Sequence, residues 1–396
     1  GPRGGTPEAA SQAADEDDDD DGAEAPWADV RVAASADGKR IASASGLEVR
    51  VGPPEQPGEL FTTDAPVEDI ALSADGEWLA WAERDGDLGI WNPRKGRHYN
   101  TAGESAWRVA FAPDGQTIAL SGDGVRVFSL VTLRARQLGG GGGNTGPLLW
   151  SPDGASVLVG DDQGAIERWL VSSGEHEELC EEATPDDAVV ADDAEARNAV
   201  VTLALSPDGR SLAVGRQDHS VELCDLASGK ARRLGSHETP VTSVAFSPAS
   251  AALASAASDV AVRLWPVRGG APRLLTTRAA RVAFSSDGRL LATGGVDELR
   301  VWELGSLDST TLSGPTDARS YQDARVVPVP APALDDDDED FWHHDGALLF
   351  TPGSATLLWA PPGGQALLRW VDDLPWTARE LQARLDQLTH LRAEAR

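Results

Sequence analysis

The strongest constraint on this chain is that it repeats itself. Residues 241–267 read VTSVAFSPASAALASAASDVAVRLWPV, with apolar runs from Val241 to Phe246, Ala251 to Ala256 and Val260 to Val267 parted by turn chemistry. Each run is rich in β-branched and small residues and has the length of a strand. The unit occurs eight times, with its turn serine or a substitute at Ser35, Ser73, Ala112, Ser151, Ser206, Ser247, Ser285 and Thr351, in steps of 38, 39, 39, 55, 41, 38 and 66 residues. A period near 40 residues marks a repeat architecture, in which each unit buries its faces only against its neighbours.

The first break of the unit becomes Ser-Pro-Asp-Gly elsewhere in the chain. Proline fixes φ at the first central turn position and glycine accepts a positive φ at the end, which gives a tight hairpin. Each unit is therefore expected to be a three-stranded antiparallel meander. In the first unit an outer strand is added at Glu59 to Thr63.

The third run closes on an aromatic at Trp91, Phe128, Trp169, Trp265, Trp302 and Trp370. With the period and the turn, this makes residues 27–371 resemble a WD-repeat β-propeller of a divergent, bacterial-type branch. No Trp-Asp dipeptide occurs, and the Gly-His pair of the family is never spelled out. The resemblance implies an all-β fold of eight blades, or seven if the first or last unit is not a true blade. It also implies that the last blade is completed by one more strand from elsewhere.

Two sets of residues follow from the same resemblance. His237, Ser255, Asp259 and Trp265 stand in the order of the family's structural hydrogen-bonded set. The binding face would be built from residues just before the first strand and in the turn between the second and third, here Glu68, Arg84, Trp107, Gln163, Arg216, Asp218 and Glu298. Trp107 stands out, because its place is Glu68 and Thr242 in other units and strand packing there does not demand a large ring.

Charge is concentrated outside the repeats. The net charge of −30 falls largely on residues 1–26 with nine acids and one arginine, 175–195 with ten acids and 335–345 with seven, which together hold −25 of it. Residues 1–26 are too small and polar to bury a core and read as a disordered acidic linker. Residues 175–198 and 305–345 read as acidic insertions. Binding of phosphate backbones or anionic membranes needs a positive footprint, so neither nucleic acid nor a membrane is expected as a partner.

The only two cysteines, Cys180 and Cys224, lie 44 residues apart without metal-type spacing. They read as unmatched thiols of a reducing compartment, and the cytoplasm is expected. The chain has no methionine and starts Gly-Pro, which reads as an excised piece of a longer protein.

Catalytic spacing is missing. There is no Gly-x-Ser-x-Gly elbow, phosphate-loop Gly-Lys-Ser/Thr, His-Glu-x-x-His or Cys-x-x-Cys, and Gly139 to Gly143 lacks the lysine and helix of a phosphate cradle. Asp17, Asp19, Asp21 and Gly22 copy half a calcium loop, but position twelve is Ala28. His343 and His344 beside Asp335 to Asp340 and Asp345 are the one other metal-like cluster. Both read as solvated segments, and no metal or cofactor is expected.

From Pro375 the pattern changes. Thr377 and Glu380 form a capping box, with Trp376 placed to staple on Leu381, and Leu381, Leu385 and Leu388 recur at helical spacing. Residues 372–396 are expected to hold an amphipathic helix packed on the edge of the repeats.

The expected function is a non-catalytic scaffold or sensor that recognises a protein or peptide. With three lysines against 31 arginines, the chain reads as part of a bacterial regulatory or signalling protein with an effector domain on the same polypeptide. A protease or modification substrate with regulated acidic loops is the alternative. A channel enzyme is the third reading, and the apolar first strands speak against it.

Overall fold

A computed structural model describes residues 30–53, 58–92, 94, 97–101, 106–139, 145–180, 198–257, 259, 261–295, 298–304, 325–328, 347–350, 357–360 and 368–370. Within them the chain forms eight antiparallel sheets and no helix. In sequence order the sheets span 30–62, 67–101, 106–139, 145–179, 200–236, 243–276, 281–328 and 347–370. The first seven are four-stranded and sheet eight has three strands. The unit is thus one strand longer than the expected meander, and the fourth strand caps the third along its open edge.

Sheet six shows how sequence makes the unit. Its strands are Ser243–Phe246, Ala252–Ala256, Ala261–Pro266 and Arg273–Thr276, paired in chain order. Successive side chains of a strand point to opposite faces, so Leu253 packs towards sheet five while Ala254 packs towards sheet seven. Both are fully buried. The second strand is buried at every position because both faces are covered, and its one polar residue, Ser255, is hydrogen-bonded.

The same division runs round the molecule. Seven separate cores lie between successive sheets, from Ala42, Val49, Ile70 and Leu79 between sheets one and two to Ala292, Leu299, Phe350 and Leu357 between seven and eight. The first strand of each sheet lies against the first strand of the next, and that of sheet eight (Ala347–Phe350) lies against that of sheet one (Val30–Ala34). The sheets therefore follow one another in a closed cycle, consistent with a propeller. Among the described residues no borrowed strand completes sheet eight.

The turn between first and second strands carries a repeated side-chain lock. Ser35 donates to Asp37 at 2.8 Å, and Ser73 to Asp75, Ser151 to Asp153, Ser206 to Asp208 and Ser285 to Asp287 at 2.6–2.7 Å. Asp37 also accepts the Lys39 amide, which with the Ser35 hydroxyl holds its carboxyl down at about 2. Each such turn ends on a left-handed glycine, except in sheet six, where Ser250 takes φ 54°.

Three features differ from the sequence reading. Cys180 and Cys224 are joined by a disulfide with 5.4 Å between their Cα atoms, so they are not unmatched thiols. Closing a span of 44 residues in this way disfavours the unfolded chain by about 4 kcal/mol in the chain-entropy picture. His176–Leu179 is the outer strand of sheet four, so the first part of the 175–198 segment is structure rather than insertion. Arg325–Pro328, inside 305–345, is likewise the outer strand of sheet seven. The acidic linker, His343, His344 and the segment from Pro375 onward lie outside the described residues.

Candidate recognition face

Antiparallel pairing fixes which loops share an end. The lead-in to each first strand and the turn between second and third strands fall at one end of the ring, and the Ser-Asp turns fall at the other. At the first end the loops are bonded to one another across sheets. The Val67 amide donates to Gly46 O, Ala106 to Gly86 O and Val241 to Arg216 O, at 3.0–3.2 Å. Each bond joins the second-to-third turn of one sheet to the lead-in of the next.

The first strands are edges that face the ring axis, and their main-chain groups need partners. Neighbouring sheets supply some of these. Asp69 Oδ2 accepts the Val109 amide at 2.9 Å, Ser243 Oγ accepts Val282 N at 3.3 Å, and Arg31 Nε donates to Glu68 O at 2.8 Å. Burial raises the Asp69 carboxyl, opposed by Arg108, the Val109 amide and Arg31.

Six of the seven residues assigned to the face from sequence have described side chains. Glu68 and Arg84 meet in an ion pair of 2.7 Å, with the arginine side chain 68% exposed. Gln163 is exposed and its Nε2 donates to Asp162 at 3.2 Å. Asp218 is half-buried and accepts the Ser220 amide at 2.9 Å, and Trp107 is half-buried at the start of sheet three. Glu298 begins the third strand of sheet seven, opposite Pro328.

Arg216 must be withdrawn from this set. Its side chain is 3% exposed, with Nε bonded to Glu222 at 3.0 Å and Nη1 donating to Gly164 O at 2.8 Å and Asn198 O at 3.1 Å. It clamps the turn of sheet four to sheet five from inside. The sequence signal for it was the acid at Glu222 between the apolar Val221 and Leu223 of the third strand.

In sheet six the structure brings His237, Ser255, Asp259 and Trp265 into one chain of hydrogen bonds. His237 Nδ1 meets Asp259 Oδ2 at 3.0 Å, His237 Nε2 meets Ser255 Oγ at 2.7 Å, and Trp265 Nε1 donates to Ser255 Oγ at 2.8 Å. With Nδ1 protonated towards the carboxylate, Nε2 accepts the Ser255 hydroxyl proton. Burial holds His237 down at about 4, although Asp259 pulls the other way. Burial would raise Asp259, but the Glu238 amide, His237 and Arg263 leave it below its usual range.

The connectivity is that of a nucleophilic triad, and its surroundings are not. Ser255 is fully buried, accepts from the indole and donates to the imidazole, so its oxygen has no approach for a substrate carbon. Arg263 Nη1, which donates to Asp259 at 2.7 Å, was not foreseen from sequence. A shorter version recurs in sheet seven, where Trp302 Nε1 donates to Thr293 Oγ1 at 3.0 Å. Among the described residues no three His, Cys, Asp or Glu side chains are grouped to hold a metal.

Residues 229–265, which run from the outer strand of sheet five to Trp265, match the family of the WD domain, G-beta repeat. The match supports a WD-repeat family. All four members of the sheet-six hydrogen-bonded chain lie in this WD-type stretch. The chain is 44% identical over 71 residues to "WD repeat-containing protein SL1-17" of Schistosoma mansoni, which covers 18% of the chain and 24% of that protein. It is 29% identical over 136 residues to "Periodic tryptophan protein 2 homolog" of Schizosaccharomyces pombe, covering 32% and 16%. It is 39% identical over 57 residues to "Mitotic checkpoint protein bub-3" of Caenorhabditis elegans, covering 14% and 17%. The chain thus spans about a quarter or less of the length of each relative.

Proposed function

We propose that this chain is an eight-bladed, non-catalytic WD-type propeller that recognises a protein or peptide on the end carrying Trp107. The carrying observation is the set of cross-sheet bonds from Gly46 to Val67, Gly86 to Ala106 and Arg216 to Val241, which makes the loops at that end one pre-ordered surface. A surface ordered before binding loses little conformational freedom on complex formation. The similarity to WD-repeat proteins supports the same reading.

The partner segment is basic. Asp85 and Asp123 are exposed at this end, Asp162 and Asp218 are half-buried beside them, and Arg84 is already paired with Glu68. Complementary charge would speed the encounter, and an indole at Trp107 would supply contact area. Recognition by such a face can regulate an effector domain on the same polypeptide.

The test is a pull-down and a titration of the captured protein with wild type, Trp107→Ala, Asp123→Lys and, from the opposite end, Asp153→Ala. Loss of one specific partner with the first two variants and retention with the third supports the reading. Equal binding by all four, after their melting points are shown to agree, rejects it.

A further inference from the structure

Aligned tripeptides stand at the ends of the outer strands of sheets three, four and five: Gln137-Leu138-Gly139, Glu178-Leu179-Cys180 with Cys180 just past the strand, and Arg233-Leu234-Gly235 one residue before its end. Register sets the alignment, with Gln137 opposite Arg126, Glu178 opposite Glu167 and Arg233 opposite Glu222. Each glycine lies under the closing indole of the following sheet. A Cβ on Gly139 would stand 1.9 Å from Trp169 Cη2, and one on Gly235 2.7 Å from Trp265 Cη2. Between sheets four and five the glycine is Cys180, the aromatic is Cys224, and the two are bonded.

A second bridge is exchanged at the same junction. Arg136 donates from sheet three to Val171 O in sheet four, and Arg232 from sheet five to Val267 O in sheet six at 2.8 Å. Both acceptors lie two residues beyond the closing aromatic. The corresponding residue of sheet four is Glu177, whose side chain has no N–H to give and pairs with Arg168 inside its own sheet. Three coincident replacements thus remove the indole wedge and the arginine bridge from one junction and leave a disulfide in their place.

We propose that Cys180–Cys224 is the structural crosslink of this junction, and that the chain folds and works where thiols are kept oxidised rather than in the reducing compartment read from sequence. Both cysteines are buried in the core between the sheets, at 3% and 0% exposure, which shields the bond in the folded protein. Two free thiols cannot approach as closely as bonded sulfurs, so reduction would part the strands at a junction that has no indole wedge to hold it. Its formation removes two protons and two electrons from two thiols, taken up by a disulfide oxidant that leaves as two thiols.

The test uses the full chain. Alkylation under denaturing conditions, applied at the moment the native host cells are quenched in acid, is expected to add no mass without reductant and two adducts after it. Thermal unfolding with a phosphine reductant is expected to lower the wild-type midpoint by roughly 5 °C or more. The Cys180→Gly/Cys224→Trp pair, which rebuilds the glycine–indole contact, is expected to show no reductant effect. Should that pair fail to fold, Cys180→Ala/Cys224→Ala serves, with a midpoint at that of reduced wild type. Two free thiols in the quenched cells overturn the proposal. So do wild-type midpoints that coincide once mass shows the bond reduced.

Discussion

Trp265 of sheet six closes over Gly235 of sheet five so tightly that a Cβ on the glycine would lie 2.7 Å from the ring. The indole edge touches the neighbouring sheet while its Nε1 donates to Ser255 within its own. One residue thereby ties the internal hydrogen bonding of a sheet to the spacing between sheets. Trp169 repeats the contact on Gly139.

Gly139→Ala should therefore act as an overpacking change rather than a loss of backbone freedom. The added methyl would stand 1.9 Å from Trp169 Cη2, and ring and strand would have to part. A destabilisation of about 1–3 kcal/mol is expected in urea unfolding. Gly229→Ala, where nothing lies within 4 Å of the added Cβ, controls for the change of residue, although its φ of 67° carries its own strain.

Ser255→Ala would leave two groups without their partner at once, the Trp265 indole N–H and His237 Nε2. Both are buried, so the loss should approach the cost of unsatisfied groups, about 1–3 kcal/mol, rather than that of one exchanged hydrogen bond. Ser255→Thr keeps the hydroxyl and should recover part of it. Chemical denaturation with tryptophan fluorescence reads both.

Much of the sheet structure was legible because two local signals agree. The turn serine with aspartate and glycine marks five of the first hairpins, and period-two apolar runs mark the strands beside them. The outer strands were harder to read: His176–Leu179 is polar, and Arg273–Thr276 exposes Leu274 at 53%, so hydrophobic periodicity is weak there. Long-range pairings were harder still. Cys180 and Cys224 meet only because two sheets face each other, and nothing in a spacing of 44 residues encodes that. From its sequence Arg216 looks like an exposed turn residue, whereas in the structure its side chain is buried and paired with Glu222.

Ser250→Gly should stabilise the protein. Ser250 holds φ 54° in the place where six other turns have glycine at φ 65–71°, a conformation that costs an L-residue with a side chain about 1 kcal/mol. Its hydroxyl accepts only a long bond of 3.4 Å from the Asp208 amide. A gain of about 0.5–1 kcal/mol is expected, read as a higher urea midpoint at unchanged slope.

The stability of the fold should fall as pH drops from about 6.5 towards 4. His237 is held neutral at about 4 by burial, while its ordinary value is 6.5, so between these limits the unfolded chain binds a proton that the folded one does not. The contribution is complete above pH 6.5 and gone below 4, with a ceiling of about 3 kcal/mol. The turn aspartates Asp37, Asp153, Asp208 and Asp287, each shifted downward, act at lower pH than this window. His237→Gln should flatten the profile between pH 6.5 and 4 and leave the acid limb below 4 in place.

Glu222→Gln should cost more than any single exchange above, because it strands a charge. Arg216 and Glu222 are 3% and 2% exposed, and the guanidinium also holds the carbonyls of Gly164 and Asn198. Removing one member of a buried pair commonly costs about 3–5 kcal/mol, since the remaining ion keeps its full desolvation penalty. The double change Arg216→Met/Glu222→Leu removes both ions and refills the space, and should recover a large part of that loss. If the pair served a partner rather than the interior, Glu222→Gln would instead leave the urea midpoint unchanged and alter only binding. Comparing the two variants by denaturation separates the interior role from the surface role first read for Arg216.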